Sequence, residues 1–401
     1  MTLRYPIECI AGGIALIVLC SACCGAVVGS RTASAGAKPS AHRSRDEAES
    51  SRSLLMYIGT YTYRSSRGIY VARFDPSTGE LSEPELAAAT SNPSFLAIRP
   101  DGRSLYAVNE QEEFHGQKTG GITAFEIDPA SGRLTQLDEK PSGGGAPCHV
   151  LVDRSGKLVF VANYDGGSVA VFKIERNGSL GERVALFQFS GKGANPHRQE
   201  APHAHCVTLT PDNRFAYMAD LGRDRIAIYR CRSHDLAPEA SVAPGAGPRH
   251  VAIHPNGKFA YVTNELGNTI TAFDLDRETG ALTEIQTIPT LPEGWHGVST
   301  TAEIVVSPDG RFVYDSNRGH NSIAIFSIDA SSGRLTPVGF EPTQGKTPRG
   351  FTIDPTGNFL IVANQDSDNI VVFRIDHRSG KLTPTGSSIK VSLPSSLVFH
   401  R

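Results

Sequence analysis

Two imidazoles, a guanidinium and a carboxylate fall within one short stretch, Arg198-Gln199-Glu200-Ala201-Pro202-His203-Ala204-His205. Smaller groups of the same residue types follow: Gly247-Pro248-Arg249-His250, Asn264-Glu265, Ser316-Asn317-Arg318-Gly319-His320 and Thr347-Pro348-Arg349, with His149 and Glu303 standing among them. Imidazoles and carboxylates can be tuned to exchange protons near neutral pH. Arginines stabilise developing negative charge and grip phosphate or carboxylate through paired N–H groups. A serine nucleophile is not indicated, because no Gly-x-Ser-x-Gly elbow occurs. His197, His203 and His205 are the nearest approach to a metal set, but no His-Glu-x-x-His pair exists and the three cysteines beyond the N-terminal region (Cys148, Cys206, Cys231) are far apart in sequence, so neither metal nor cofactor is expected.

These residues are spread from His149 to Arg349, so a fold must gather them. Its signature is a repeat. An acid, three residues, Gly, one residue and Leu recur as Asp75–Gly79–Leu81, Asp128–Gly132–Leu134, Asp276–Gly280–Leu282, Asp329–Gly333–Leu335 and Asp376–Gly380–Leu382, with degenerate copies ending at Leu180 and Leu236. The leucines are 46 to 56 residues apart. Out of phase with them, turns such as Pro100-Asp101-Gly102, Pro255-Asn256-Gly257 and Pro308-Asp309-Gly310 lead through an apolar run to Asn109, Asn264 and Asn317. Asp-Gly and Asn-Gly between alternating apolar runs mark hairpins. Each repeat resolves into four short strands, the pattern of propeller blades.

Seven innermost strands are expected, at 94–98, 149–153, 205–209, 250–254, 303–307, 350–354 and 396–400. The last lacks partners after it, while the body opens on three strands (56–61, 68–75 and 81–87) with no innermost strand before them. An all-β, seven-bladed propeller follows, four antiparallel strands to a blade, closed by the C-terminal strand joining the N-terminal blade and leaving no free edge there.

In such a blade the start of the innermost strand and the end of the second lie on one face beside the central channel. The starts carry Ser94, His149, His205, His250, Glu303, Gly350 and Ser396, and the ends carry Thr60, Glu110, Tyr164, Asp220, Glu265, Arg318 and Gln365. The opposite face carries mainly Pro-Asp-Gly turns, which structure alone explains. Asn109, Asn163, Asn264, Asn317 and Asn364 recur blade by blade and read as backbone bridges rather than catalysts. His203 and His205, two apart, face opposite ways in an extended strand, so one points into the channel and the other into the sheet. Trp295, in the loop 291–301, is the one rim aromatic suited to anchoring a partner or walling a substrate.

The formal net charge is −2 and no long basic run occurs, which argues against nucleic acid as a partner. Arg4, an apolar run over 9–19 and small residues after it have the layout of an export signal. Residues 1–29 are therefore read as a signal or lipoprotein-like anchor around Cys23 and Cys24, 30–53 as a polar linker, and 54–401 as the propeller. Export to a periplasmic or extracellular site is expected, with cleavage or a membrane tether as the two fates of the segment.

The motifs from Arg198 to His205, with Asp220-Leu221-Gly222, Gly247 to His250, Asn264-Glu265-Leu266, Ser316 to His320 and Ala363-Asn364-Gln365, resemble the 6-phosphogluconolactonase family of seven-bladed propellers, which includes the fungal carboxymuconate cyclase. The resemblance runs over about residues 54 to 400. It implies lactone chemistry in the channel, with the catalytic constellation on His203 or His205, Arg249, Glu265 and Arg318. Arg198 or Arg349 then serves as handle for a substrate anion, and His149, Glu200, His250, Glu303 and His320 complete the expected substrate-binding set. The same parts serve hydrolysis and the reverse ring closure. A small-molecule lactone is the expected partner; a propeller that only binds a ligand or protein is the alternative.

Overall fold

The computed structural model describes residues 53–231, 233 and 235–400. The signal-like segment and nearly all of the linker lie outside the described residues. Short apolar runs rich in Val, Ile, Phe and Tyr favour a pleated, half-buried surface, and between turns they form seven four-stranded antiparallel sheets arranged as blades.

The first blade joins the two chain ends. Pro394–Phe399 pairs with Leu54–Thr60, followed by Gly68–Phe74 and Glu85–Ala89. Met56 faces Phe399 and Ile58 faces Leu397, and Phe359, Ile361 and Ile370 of the seventh blade pack against Met56, Phe74 and Phe399 across the seam. The outermost strand there begins at Glu85, later than the sequence suggests; Leu81 contributes only a bridge to Phe74.

Two recurring features tie neighbouring blades. Apolar residues of adjacent sheets form the core clusters, with Tyr57, Tyr106, Tyr217, Tyr261 and Tyr314 fully buried. Four of these tyrosines donate their hydroxyl to the carbonyl of a turn glycine in the next blade: Tyr106 to Gly178, Tyr217 to Gly280, Tyr261 to Gly333 and Tyr314 to Gly380. Gly280 has φ of +77° and a Cβ there would lie 2.5 Å or less from Phe215, so the repeat demands glycine for both conformation and space. The blade-wise asparagines bridge backbone: Asn317 Nδ2 donates to the Thr290 carbonyl at 2.7 Å and Asn364 Nδ2 to that of Thr343 at 2.9 Å.

A third feature builds the channel rim. At the start of several innermost strands the pairing slips by one residue. Pro147 faces Asn163 but His149 faces Ala162; Pro248 faces Asn264 but His250 faces Thr263; Pro348 faces Asn364 but Gly350 faces Ala363. In the fourth blade Ala204 faces Asp220 and Cys206 faces Ala219. Such β-bulges re-aim a side chain. The unpaired residues are Cys148, His205, Arg249 and Arg349. The proline at the strand start gives no ladder hydrogen bond, and the residue ahead of it lies in the left-handed region: Ala146, Gly247 and Thr347 have φ of 47°, 66° and 57°.

Candidate active site

The four bulge residues meet four residues from the ends of the second strands. Cys148, His205, Arg249 and Arg349 come from the first group, and Glu110, Tyr164, Glu265 and Arg318 from the second; Arg198 reaches in from the loop before the fourth blade. They enclose a cavity of about 280 Å³ at the channel mouth. That is slightly below the ~300–1,000 Å³ of drug-sized pockets and is the scale of a small ring.

Glu265 is the hub. Its Oε2 accepts from Arg249 Nη1 at 2.6 Å and pairs with Arg318 Nη2 at 2.9 Å, and its Oε1 accepts from Arg198 Nη2 at 2.7 Å. Burial alone would raise its pKa, but the charges of Arg318, Arg249 and Arg198 hold the carboxyl well below its ordinary value. Backbone carbonyls fix the arginines further: Arg249 Nε donates to Ala302 and Arg318 Nη2 to Thr301. Arg198 also donates to the Tyr164 hydroxyl at 3.2 Å. Burial lowers the Arg318 pKa to about 10, so the guanidinium remains a cation at neutral pH.

His205 Nε2 is hydrogen-bonded to Arg249 Nη1. Burial first, then the charge of Arg249, pushes its pKa well below the usual imidazole range. It is therefore a neutral ring beside a cation. His203 has a different position. It stacks on Tyr164 with ring centroids 4.3 Å apart, meets the Tyr164 carbonyl through Nδ1 at 3.1 Å, and lies 3.4 Å from Glu200. It supports Tyr164, while His205 lines the cavity.

The other expected site residues divide by the same bulges. Arg198, Arg249, Glu265, Arg318 and Arg349 come together around the cavity. His149, His250 and Glu303 form a buried layer adjoining it: His250 Nδ1 meets Glu303 Oε1 at 2.9 Å, and the His250 ring lies 5.5 Å from His149 and 5.3 Å from His205. Glu200 is exposed beside His203. His320 contacts the Ser322 hydroxyl at 2.6 Å and the edge of Trp295, away from the cavity lining. Cys148 lines the cavity without having been singled out; the signal was its place in Ala146-Pro147-Cys148-His149, parallel to Gly247-Pro248-Arg249-His250. Burial pushes its thiol pKa well up, so it is no ready nucleophile. Among the described residues all three cysteines are free and no cluster of three or more His, Cys, Asp or Glu residues suited to a metal ion occurs.

The sequence pattern of the family described as "Lactonase, 7-bladed beta-propeller" matches residues 55–399. The chain belongs to this lactonase family. The relatives named 6-phosphogluconolactonase are hydrolases acting on lactone esters. The 6-phosphogluconolactonase of Bacillus subtilis is 42% identical over 298 residues, 74% of this chain and 83% of the relative. That of Formosa agariphila is 36% identical, over 74% of this chain and 86% of the relative. Among solved structures, the periplasmic gluconolactonase of Pseudomonas aeruginosa superposes with a TM-score of 0.81 at 36% identity, covering 87% of this chain and 99% of that one. Around this cavity a closed ring of sheets holds nine side chains from six blades and one loop in fixed relation.

Proposed function

We propose that the protein hydrolyses a sugar-acid lactone of the 6-phosphogluconolactone type in the channel-mouth cavity. The observation that carries this reading is the convergence of four arginines with only two carboxylates, Glu265 and Glu110, around one small cavity. A site with surplus positive charge favours a substrate, and a transition state, that is negative.

In the reaction a water oxygen bonds to the lactone carbonyl carbon while one of its protons departs, and negative charge gathers on the carbonyl oxygen. The ring C–O bond then breaks, its oxygen takes a proton, and a hydroxy acid leaves. Arg249 and Arg318 are the donors for the oxyanion. Both are fixed beforehand by Glu265 and by backbone carbonyls, which is the preorganisation such stabilisation requires. The geometry favours His205 over Glu265 as proton acceptor. Glu265 has both oxygens tied to guanidinium groups, and His205 Nε2 accepts from Arg249 Nη1 alone, so His205 takes the water proton once substrate draws that guanidinium onto the developing oxyanion and frees Nε2. Glu265 then acts by holding three arginines in place.

Export fits the N-terminal charge and apolar run and the periplasmic location named for the Pseudomonas aeruginosa relative; the distribution of the full chain between cell fractions tests it. The activity itself is tested by acid release at constant pH from full-length protein with 6-phosphogluconolactone, glucono-1,5-lactone and muconolactone-type acids. Acceleration over the spontaneous rate, lost in Arg249→Ala, is expected. No acceleration on any of them would overturn the reading and leave a ligand-binding propeller.

A further inference from the structure

The four cavity arginines are not equivalent. Arg198, Arg249 and Arg318 all donate to Glu265, and each has a further partner in Tyr164, Ala302 or Thr301. Arg349 has no such commitments. Its nearest carboxylate oxygen is Glu110 Oε1 at 3.9 Å, beyond hydrogen-bonding distance. Among the described residues its guanidinium makes no hydrogen bond, although it lines the cavity and its side chain is only 19% exposed. Its N–H groups stay within reach of water in the open cavity, and an anionic ligand replaces that water with paired, charge-assisted hydrogen bonds.

The surroundings stiffen this arginine without satisfying it. The Arg349 guanidinium lies over the Tyr61 ring at 5.0 Å, and Tyr61 stacks in turn on Tyr63 at 5.2 Å. The Tyr61 hydroxyl donates to Glu110 Oε2 at 2.7 Å, and Ser94 Oγ bonds the same oxygen. Glu110 is thereby anchored through Oε2, with Oε1 left toward Arg349 and the cavity. The bulge between Pro348 and Gly350 directs the arginine inward, as its counterpart does for Arg249. Stacking on an aromatic face leaves the edge of the guanidinium, where the N–H groups lie, free for a planar or tetrahedral oxyanion.

We infer that Arg349, braced by Tyr61 and Glu110, is the residue that selects the substrate: it takes an anionic group, phosphate monoester or carboxylate, on the part of the lactone away from the reacting ester. The inference rests on the lactonase reading for the identity of the reacting group. Arg198, the other candidate for this task by sequence, is the weaker clamp, with Nη2 held by Glu265 and Tyr164 and its side chain 41% exposed. Glu110 Oε1 accepts a ligand hydroxyl next to the anion, so the clamp matches a hydroxylated acid rather than a simple one.

Three lactones separate the possibilities in full-length protein: 6-phosphogluconolactone carries a phosphate, a glucaric acid monolactone carries a carboxylate, and glucono-1,5-lactone carries neither. Loss of a charge-assisted, paired hydrogen bond in Arg349→Met lowers the preference for charged over neutral lactone about 50-fold, through KM more than kcat. The arm showing the larger loss names the anion. Arg349→Lys, which keeps the charge and lacks the fork, restores part of that preference and guards against a simple folding defect. Calorimetry with 6-phosphogluconate and glucarate, each against gluconate, which shares their C1 carboxylate and lacks the second anion, reads the same preference as binding, so it decides the matter even if no lactone is turned over and the hydrolase reading fails. Equal losses on charged and neutral ligands in Arg349→Met, or an unchanged preference, would overturn the inference.

Discussion

The two walls of the cavity are built from the same positions of the repeat, yet one is densely cross-linked and the other is open. On the wall of blades four to six, His205, Arg249, Glu265 and Arg318 are linked to one another by contacts of 2.6–2.9 Å and by the His205–Arg249 hydrogen bond. On the wall of blades seven, one and two, Arg349 and Glu110 stand 3.9 Å apart and lean on Tyr61. A densely cross-linked network is rigid and keeps its charges in place before any substrate arrives, which suits stabilisation of a transition state. An open pair gains its partners only from a ligand, which suits recognition. On the proposed reading, chemistry and selection are divided across one cavity.

The comparison is broken most severely at its hub. Glu265→Gln removes the shared partner of the buried Arg249 and Arg318 and of the half-exposed Arg198, and leaving the buried charges uncompensated costs about 3–5 kcal/mol. A large fall in melting temperature together with loss of turnover is expected, measured by thermal unfolding beside the activity assay; a variant with unchanged melting would mean that the wall is not held by this carboxylate. Next come Arg249→Ala and Arg318→Ala. Each removes a proposed oxyanion donor, and each should lower kcat about 10²–10³-fold while leaving the binding of the acid product on the open wall detectable by calorimetry. Full activity in both would displace the reaction from this wall.

The smallest effect is one of pH. Burial depresses the pKa values of His205, His149 and His250, so in the fold they remain neutral below the ordinary value of about 6.5, where the unfolded chain is protonated. The unfolded state then binds more protons, and stability declines as pH falls below that value. Glu265 works in the same direction at lower pH, since its depressed pKa gives stability that is present above the unfolded value and lost as pH falls through the folded one. With His205 as base, kcat/KM keeps its plateau through pH 6.5 and breaks only at lower pH. A pH–rate profile with its acid limb at or above 6.5 would remove His205 from that role.

Much of this architecture is legible in the sequence because it is repeated. The Asp-x-x-x-Gly-x-Leu turns and the alternating apolar runs state four strands seven times over, and the orphan strands at the two ends state the closure, here Pro394–Phe399 against Leu54–Thr60. Strand termini are less legible, as the late start of Glu85–Ala89 illustrates, since an outer strand has little core to define where pairing begins. Arg249, Glu265 and Arg318 stand out as chemistry-bearing types at rim positions. The roles of neighbours do not. His149 and His250 look like rim residues by count along a regular strand, but the bulge inserts one residue before them and turns Cys148 and Arg249 to the cavity instead.

Local patterning determined the blades, their number and the face on which the polar residues collect, because turn chemistry and period-two alternation act over a few residues. The choice between His203 and His205, the burial of His250 against Glu303, and the contrast between three engaged arginines and one unengaged arginine were decided only by the tertiary structure. These depend on a one-residue slip in pairing and on distances between blades that are remote in sequence, and neither is encoded in the spacing of residues along the chain.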